Sequence, residues 1–132
     1  MLRAGGAEFD ADGYLAACPF GEVTRYERGD PRWPGFEGTH RTSGFRVTVS
    51  RANPADLPTQ IDEAIAFLDE HEEELRRLAR FEGVEEVELD FTVEWRDLSM
   101  QTDWFPPDLL WRAGALDIAL RVTHYLPRQR ES

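Results

Sequence analysis

Four carboxylates recur along one segment of the chain and make the arrangement with the clearest capacity for chemistry. They are Glu86, Glu88, Asp90 and Glu94. On a β-strand, residues two apart share a face at a spacing of about 7 Å. A metal site favours histidine or carboxylates that converge from different elements, and glycoside hydrolysis needs a sugar cleft, which a flat sheet does not offer. We therefore expect a solvated face balanced by Arg46 and Arg121 on neighbouring strands.

A second interpretation of the same acidic row is a docking surface for a basic protein, because surface charge of one sign steers a partner of the opposite sign. Trp33 is the best candidate for an exposed anchor, since it lies in a loop rich in glycine, proline and charge, and tryptophan is enriched at interfaces. The partner-binding residues predicted from the sequence are therefore the four acids and Trp33.

Residues 19–44 carry a different candidate site. Their content of glycine, proline and charge predicts mostly loop. A loop of this length is unusual in a compact domain, so it is either functional or contains a short strand near residues 23–26. The alternative function is thus a small-ligand or metal-binding domain with a pocket between this loop and the sheet. Its candidate residues are Asp30, Arg32, His40 and Asp103.

Recognised catalytic patterns are missing from the sequence. The acidic run at residues 69–74 contains His71 but lacks the second histidine of a zinc-protease helix. The three histidines are far apart and have no cysteine partners, and Cys18 is the only cysteine, so no disulfide can form within the chain. No glycine-rich phosphate loop is present. We expect no enzymatic activity, no cofactor and no metal.

The overall charge narrows the class of partner. The 132 residues include 26 acidic and 15 basic side chains, all of the latter arginine, which gives a formal charge of −11. This charge repels nucleic acids and anionic membranes and favours a basic protein or a cationic ligand. The sequence has neither a signal peptide nor an apolar run long enough for a membrane span, so we expect a cytoplasmic protein.

Hydrophobic periodicity predicts the elements that position these residues. Alternating apolar residues predict strands at 45–49, 87–95 and 116–122, and a helical stripe predicts one long helix from Thr59 to Phe81. Thr59 and Asp62 resemble a capping box, and Gly83 suits the end of that helix. Weaker signals are a strand within 2–9, a helix at 12–17 and a helix from Pro107 to Gly114.

These elements define an α+β fold in one domain, 1–132, with a frayed tail at 126–132. We predict a single-layer sheet, mostly antiparallel or mixed, with helices packed on one face. Three tryptophans surround the segment before the last helix, namely Trp95, Trp104 and Trp111. We expect them to pack that helix onto the sheet, and the alternative is that they mark an interface.

Several short segments of the sequence resemble those of a known family. They include Arg28-Gly29-Asp30-Pro31-Arg32, Ser43-Gly44-Phe45, Ile65-Ala66-Phe67-Leu68, Leu89-Asp90-Phe91 and Phe105-Pro106-Pro107-Asp108-Leu109-Leu110. In that order they resemble small bacterial domains of unknown function of the type numbered four-two-seven-nine. The resemblance spans nearly the whole chain and implies a compact α+β fold with no established activity.

Three hypotheses follow from the sequence. The first is a non-enzymatic bacterial protein that binds a basic protein through its acidic surface, by analogy with immunity proteins that neutralise toxins. The second is the ligand-binding domain described above. The third is a structural module whose exposed face pairs with a second copy of itself.

Overall fold

Five strands and four helices make up the described part of the chain. The computed structural model describes residues 1–17, 20–32, 38–96 and 99–126. The strands are β1 (Leu2–Gly6), β2 (Thr24–Tyr26), β3 (Ser43–Val47), β4 (Glu86–Glu94) and β5 (Ala119–Tyr125). The helices are α1 (Ala11–Leu15), α2 (Leu57–Glu70), α3 (Glu72–Arg80) and α4 (Pro107–Ala115).

The strands form one open sheet in the order β2-β3-β1-β4-β5. The pairs are antiparallel except for β4 and β5, which run parallel. Leu2 lies opposite Val47 on one side and Leu89 on the other, so one face of the sheet is apolar and its opposite face is polar. The predicted α+β class, with a mixed sheet and helices packed on one face, is confirmed.

The core lies between the apolar face of the sheet and the helices, as one continuous cluster of buried side chains. Tyr14 of α1 is fully buried, and its ring stacks parallel to that of Phe45 at 5.7 Å. Its hydroxyl donates to the carbonyl of Glu74 at 3.1 Å, and the Arg77 guanidinium lies 4.2 Å from its ring centre. Burial raises the pKa of this hydroxyl above its ordinary value. Tyr14 therefore links α3 to the sheet, because its ring packs on Phe45 of β3 and its hydroxyl bonds to Glu74 of α3.

The long helix predicted between Thr59 and Phe81 is instead two helices. The chain leaves helical geometry at His71, with φ −109° and ψ 21°, although its N–H still donates to the carbonyl of Phe67. The first helix begins at Leu57 after the N-cap residue Asp56. The Asp56 carboxylate accepts from the N–H of Thr59, so the predicted capping box is wrong. No helix among the described residues has the length and apolar character needed to cross a membrane.

The predicted strands are present but two of them are displaced. The strand expected at 116–122 begins only at Ala119, because residues 116–118 form the turn after α4. In that turn the N–H groups of Leu116 and Ile118 both donate to the carbonyl of Ala113, and Asp117 adopts φ +57°, which no strand residue adopts. The strand expected at 45–49 is β3, at Ser43–Val47, and the strand suggested near 23–26 is confirmed as β2.

Candidate functional site

A cleft of about 450 Å³ opens between the start of α2 and the segment that follows β4. Its walls are mainly apolar and include Leu57, Pro58, Ile61, Val93 and Pro106. The cleft lies at the carboxyl end of the parallel pair β4 and β5. Crevices at this end of parallel strands are where open sheets commonly bind ligands, and the volume is that of a typical small-molecule site.

Gln60 fixes the α2 wall of the cleft to the sheet. Its side chain is buried, and its amide nitrogen donates to the carbonyl of Thr92 at 2.8 Å and to that of Asn53 at 3.4 Å. The N–H of Glu94 also donates to the carbonyl of Pro54 at 3.0 Å. These bonds satisfy backbone groups at the end of β4 and hold the first turn of α2 beside it.

Gln101 fixes the opposite wall. Its amide oxygen accepts from the N–H of Arg96 at 2.9 Å, and its amide nitrogen donates to the carbonyl of Glu94 at 3.3 Å. The side-chain amide thus makes the backbone hydrogen bonds that a neighbouring strand would make at the end of β4. The same nitrogen lies 3.4 Å from a carboxylate oxygen of Asp103, so Gln101 also orients that acid toward the cleft.

Asp103 forms a pair with His124 of β5. The Nε2 atom of His124 lies 2.9 Å from Oδ2 of Asp103, and its ring meets that of Trp95 edge-on at 5.7 Å. The hydrogen bond with His124 holds the pKa of the Asp103 carboxyl below its ordinary value, with a further contribution from Gln101, and partial burial opposes both. Asp103 is therefore held as an anion at neutral pH.

Two further acidic residues, Asp62 and Glu94, stand at the rim of the cleft. Among the described residues, the carboxylate of Asp62 makes no hydrogen bond or ion pair. The side chain of Glu94 belongs to the polar face of β4, on the other side of the strand from buried Val93. Arg96 also lines the cleft, and Trp104 beside it is 70% exposed. The cleft thus combines apolar walls, an accessible indole and more negative than positive charge, which suits a cationic group with an apolar stem.

The exposed large hydrophobic side chains of the described ranges all lie between residues 95 and 126. They are Trp95, Met100, Trp104, Leu110, Trp111, Tyr125 and Leu126. The prediction that the tryptophans pack α4 onto the sheet is wrong, because Leu109 and Ala113 do this and Trp111 is 72% exposed. A concentration of exposed apolar side chains is typical of an interaction surface, which is the other interpretation of these tryptophans.

The acidic row of β4 is less open than the sequence indicated. Glu88 is only 5% exposed, and its Oε1 lies 3.4 Å from Arg3 and 3.0 Å from Arg121. The expectation of a continuous exposed acidic surface is therefore wrong at Glu88, since its charge is buried and compensated. The predicted balancing role of Arg121 is confirmed. The prediction for Arg46 is wrong, because β1 separates its strand from β4 and Arg3 of β1 pairs with Glu88 instead.

The other three acids of this row have different surroundings. Asp90 accepts from the hydroxyl of Thr123 at 2.8 Å. Glu86 is exposed, and Glu94 belongs to the rim of the cleft. Trp33, predicted as an exposed anchor, lies outside the described residues.

The four residues predicted for a pocket beside 19–44 do not form one site. The ring of His40 stacks on that of Tyr26, with 4.5 Å between the ring centres. The backbone N–H of His40 donates to the carbonyl of Asp30, and the backbone N–H of Arg32 donates to the carbonyl of Gly38. Burial lowers the pKa of His40. This group lies at the β2 edge, whereas Asp103 lies at the β5 edge with three strands between them.

Sequence reasoning found Asp103 but missed the residues that position it. His124 had no signal in the sequence, because apolar alternation does not show that β5 runs parallel to β4 and brings the two carboxyl ends together. Gln60 and Gln101 had no signal, because a lone glutamine does not indicate which backbone groups it will meet.

No three histidine, cysteine, aspartate or glutamate side chains of the described ranges converge in a way that could hold a metal ion. Comparison of the chain with protein-family models, with characterised proteins and with solved structures finds no match. The resemblance to a family of bacterial domains therefore stays a prediction, and the function has to be argued from the site.

Proposed function

We propose that this chain is a binding protein that takes a basic segment of a partner protein into the cleft at the end of β4. The observation that carries the proposal is the rim carboxylate of Asp62, which has no partner among the described residues, close to the exposed indole of Trp104. An immunity-like protein that neutralises a basic partner would use such a site. The site differs from the acidic row of β4, where Glu88 already has arginine partners.

Each part of the cleft has a role in binding an arginine or lysine side chain. The apolar walls at Leu57, Ile61 and Val93 cover the aliphatic stem, which arginine and lysine bury while the charged head stays solvated. The head then meets the carboxylate of Asp62, and the face of Trp104 adds a cation–π contact. The charge of −11 steers a basic partner toward this surface from a distance.

A second candidate function is favoured by the size of the cleft. About 450 Å³ is enough for a free small molecule, so an organic cation could be the ligand without any partner protein. This hypothesis keeps Asp103 of the earlier ligand prediction and moves the pocket from residues 19–44 to the cleft. The two candidates differ in whether contacts outside the cleft contribute to affinity.

The test uses short capped peptides with a central arginine flanked by apolar residues, and the same peptides with neutral citrulline. Their binding to the full chain is measured by calorimetry at low and high salt. We expect the arginine peptide to bind and salt to weaken it, because salt screens the carboxylates. In the Asp62→Asn variant we expect about tenfold weaker binding, equivalent to about 1.4 kcal/mol.

The matched control is Glu63→Gln, which removes the same charge from the neighbouring exposed position of the same helix but outside the cleft. We expect it to bind like the unmodified chain. Equal affinity for the citrulline peptide, or equal loss in both variants, would contradict the proposal. Equal binding of capped arginine alone and of the whole peptide would favour the small-ligand function instead.

A further inference from the structure

The outer edge of the sheet at β5 is open for pairing. β5 is seven residues long and contains no proline, whereas β2, at the opposite edge, has only three residues. Long edge strands without protective features readily pair with another strand. Among the described residues, no segment pairs with the outer side of β5.

The hydrogen-bonding groups on this edge can be assigned from the register. The N–H of Trp95 donates to the carbonyl of Tyr125 at 2.6 Å, so the backbone groups of Tyr125 point toward β4. Because successive residues of a strand alternate in direction, the N–H and C=O of Leu120, Val122 and His124 point away from the sheet. These three residues offer the pattern of donors and acceptors that an added antiparallel strand would use.

An apolar side of α4 stands above this edge. The two helices α2 and α4 lie side by side, with α2 over β4 and α4 over β5. Arg112 faces α2, since its Nε donates to Asp69 at 2.8 Å. Residues two positions away are rotated by about 200°, so Leu110 and Gly114 lie on the side above the open edge. Leu110 is 48% exposed, and a Cβ added to Gly114 would meet only open space.

The part of the chain that contains α4 and β5, residues 95–126, is nearly neutral. Residues 1–94 contain 10 arginines and 21 acidic residues, whereas residues 95–126 contain three arginines and four aspartates. Two copies of so acidic a molecule repel each other over most of their surfaces. The near-neutral apolar end is where that repulsion is smallest, and a basic partner would gain little there from charge.

We propose that two copies of this chain associate about a two-fold axis through their β5 edges. The two strands pair antiparallel and join the sheets, and the Leu110 side of each α4 packs against its counterpart. A two-fold arrangement is self-complementary, so it closes after two copies and leaves no free edge at β5. This dimer is independent of the binding proposed for the cleft, which lies at the end of β4.

The test is sedimentation velocity of the full chain over a hundredfold range of concentration. We expect dimers at high concentration for the unmodified chain, and monomers throughout for Leu110→Glu with an unchanged circular dichroism spectrum. The matched control is Ala115→Glu, which adds the same charge to an exposed position of the same helix but away from the edge. We expect this control to dimerise normally. A monomeric unmodified chain, or a Leu110→Glu variant that still dimerises, would overturn the proposal.

Hydrogen exchange provides a second readout of the interface. We expect the amides of Val122 and His124 to be protected in the dimer and to exchange rapidly in Leu110→Glu, because their N–H groups point to the partner. The amides of Arg121 and Thr123 face β4 and should stay protected in both. A dimer in which Val122 and His124 exchange rapidly would place the interface elsewhere and overturn the proposal.

Discussion

Glu88 illustrates how much the surroundings of one residue change the meaning of a charge. The alternation of apolar and polar residues around Glu88 predicts that its carboxylate is solvated at the surface. In the sheet it lies between Arg3 and Arg121 and is almost completely covered. Sequence periodicity assigned its face correctly, but the arginine of β1 could not be assigned to it because strand order is not encoded in the alternation.

We predict that Glu88→Gln lowers the free energy of unfolding by about 1–2 kcal/mol, because two charge-assisted hydrogen bonds are weakened. Both arginines are partly exposed and can be hydrated again, which limits the loss. Urea denaturation measures the effect. The control Glu86→Gln removes an exposed acid of the same strand and should change stability by less than about 0.5 kcal/mol. Equal effects of the two substitutions would contradict the assigned burial.

Asp103 gives a prediction about pH. Its carboxyl pKa is lowered in the folded chain, so its contribution to stability is present above the ordinary carboxyl range and is lost as the pH falls through the lowered value. We predict that His124→Phe raises the pKa of Asp103 toward its ordinary value, since the hydrogen bond with His124 is the main cause of the shift. An NMR titration of the Asp103 carboxyl carbon measures this. A pKa that does not respond to His124→Phe would show that the pair is not formed.

At the scale of elements, strands were predicted best where apolar and polar residues alternate without interruption. β4 was expected at 87–95 and is found at Glu86–Glu94. The alternation of Leu116 and Ile118 with polar residues continues that of β5, yet these residues belong to a turn, because the pattern does not report the positive φ of Asp117. The break at His71 was also missed, since the apolar stripe continues across it from Leu68 to Leu75.

We predict that Gln60→Leu lowers stability by about 1–2 kcal/mol, because the partly buried carbonyl of Thr92 loses its side-chain donor. The change keeps the side chain similar in volume, so the loss reports the hydrogen bond rather than a cavity. Thermal or urea unfolding measures it. Glu63→Leu, an exposed position in the same part of α2, is the control and should be nearly neutral. If Gln60→Leu leaves the free energy of unfolding unchanged, this residue does not hold α2 against β4.

At the scale of the whole molecule, charge and apolar surface are separated. The acidic excess lies in residues 1–94, and the exposed large apolar side chains of the described ranges lie in residues 95–126. The sequence could predict the acidity and suggest tryptophans at an interface. It could not predict the cleft, because this depends on Gln60 and Gln101 joining segments 41 positions apart to the end of one strand.

The measurement that tests the central claim most directly is an NMR titration of the full chain with the capped arginine peptide. The indole N–H signal of Trp104, assigned with Trp104→Phe, is followed together with the backbone amides. We predict that this signal and the amides of residues 93–96 and 101–104 shift together on binding, while those of β2 and β3 stay unchanged. Shifts confined to β2 and β3 would contradict the assignment of the cleft as the binding site. The same conclusion would follow if the arginine peptide shifted no more signals than the citrulline peptide at the same concentration.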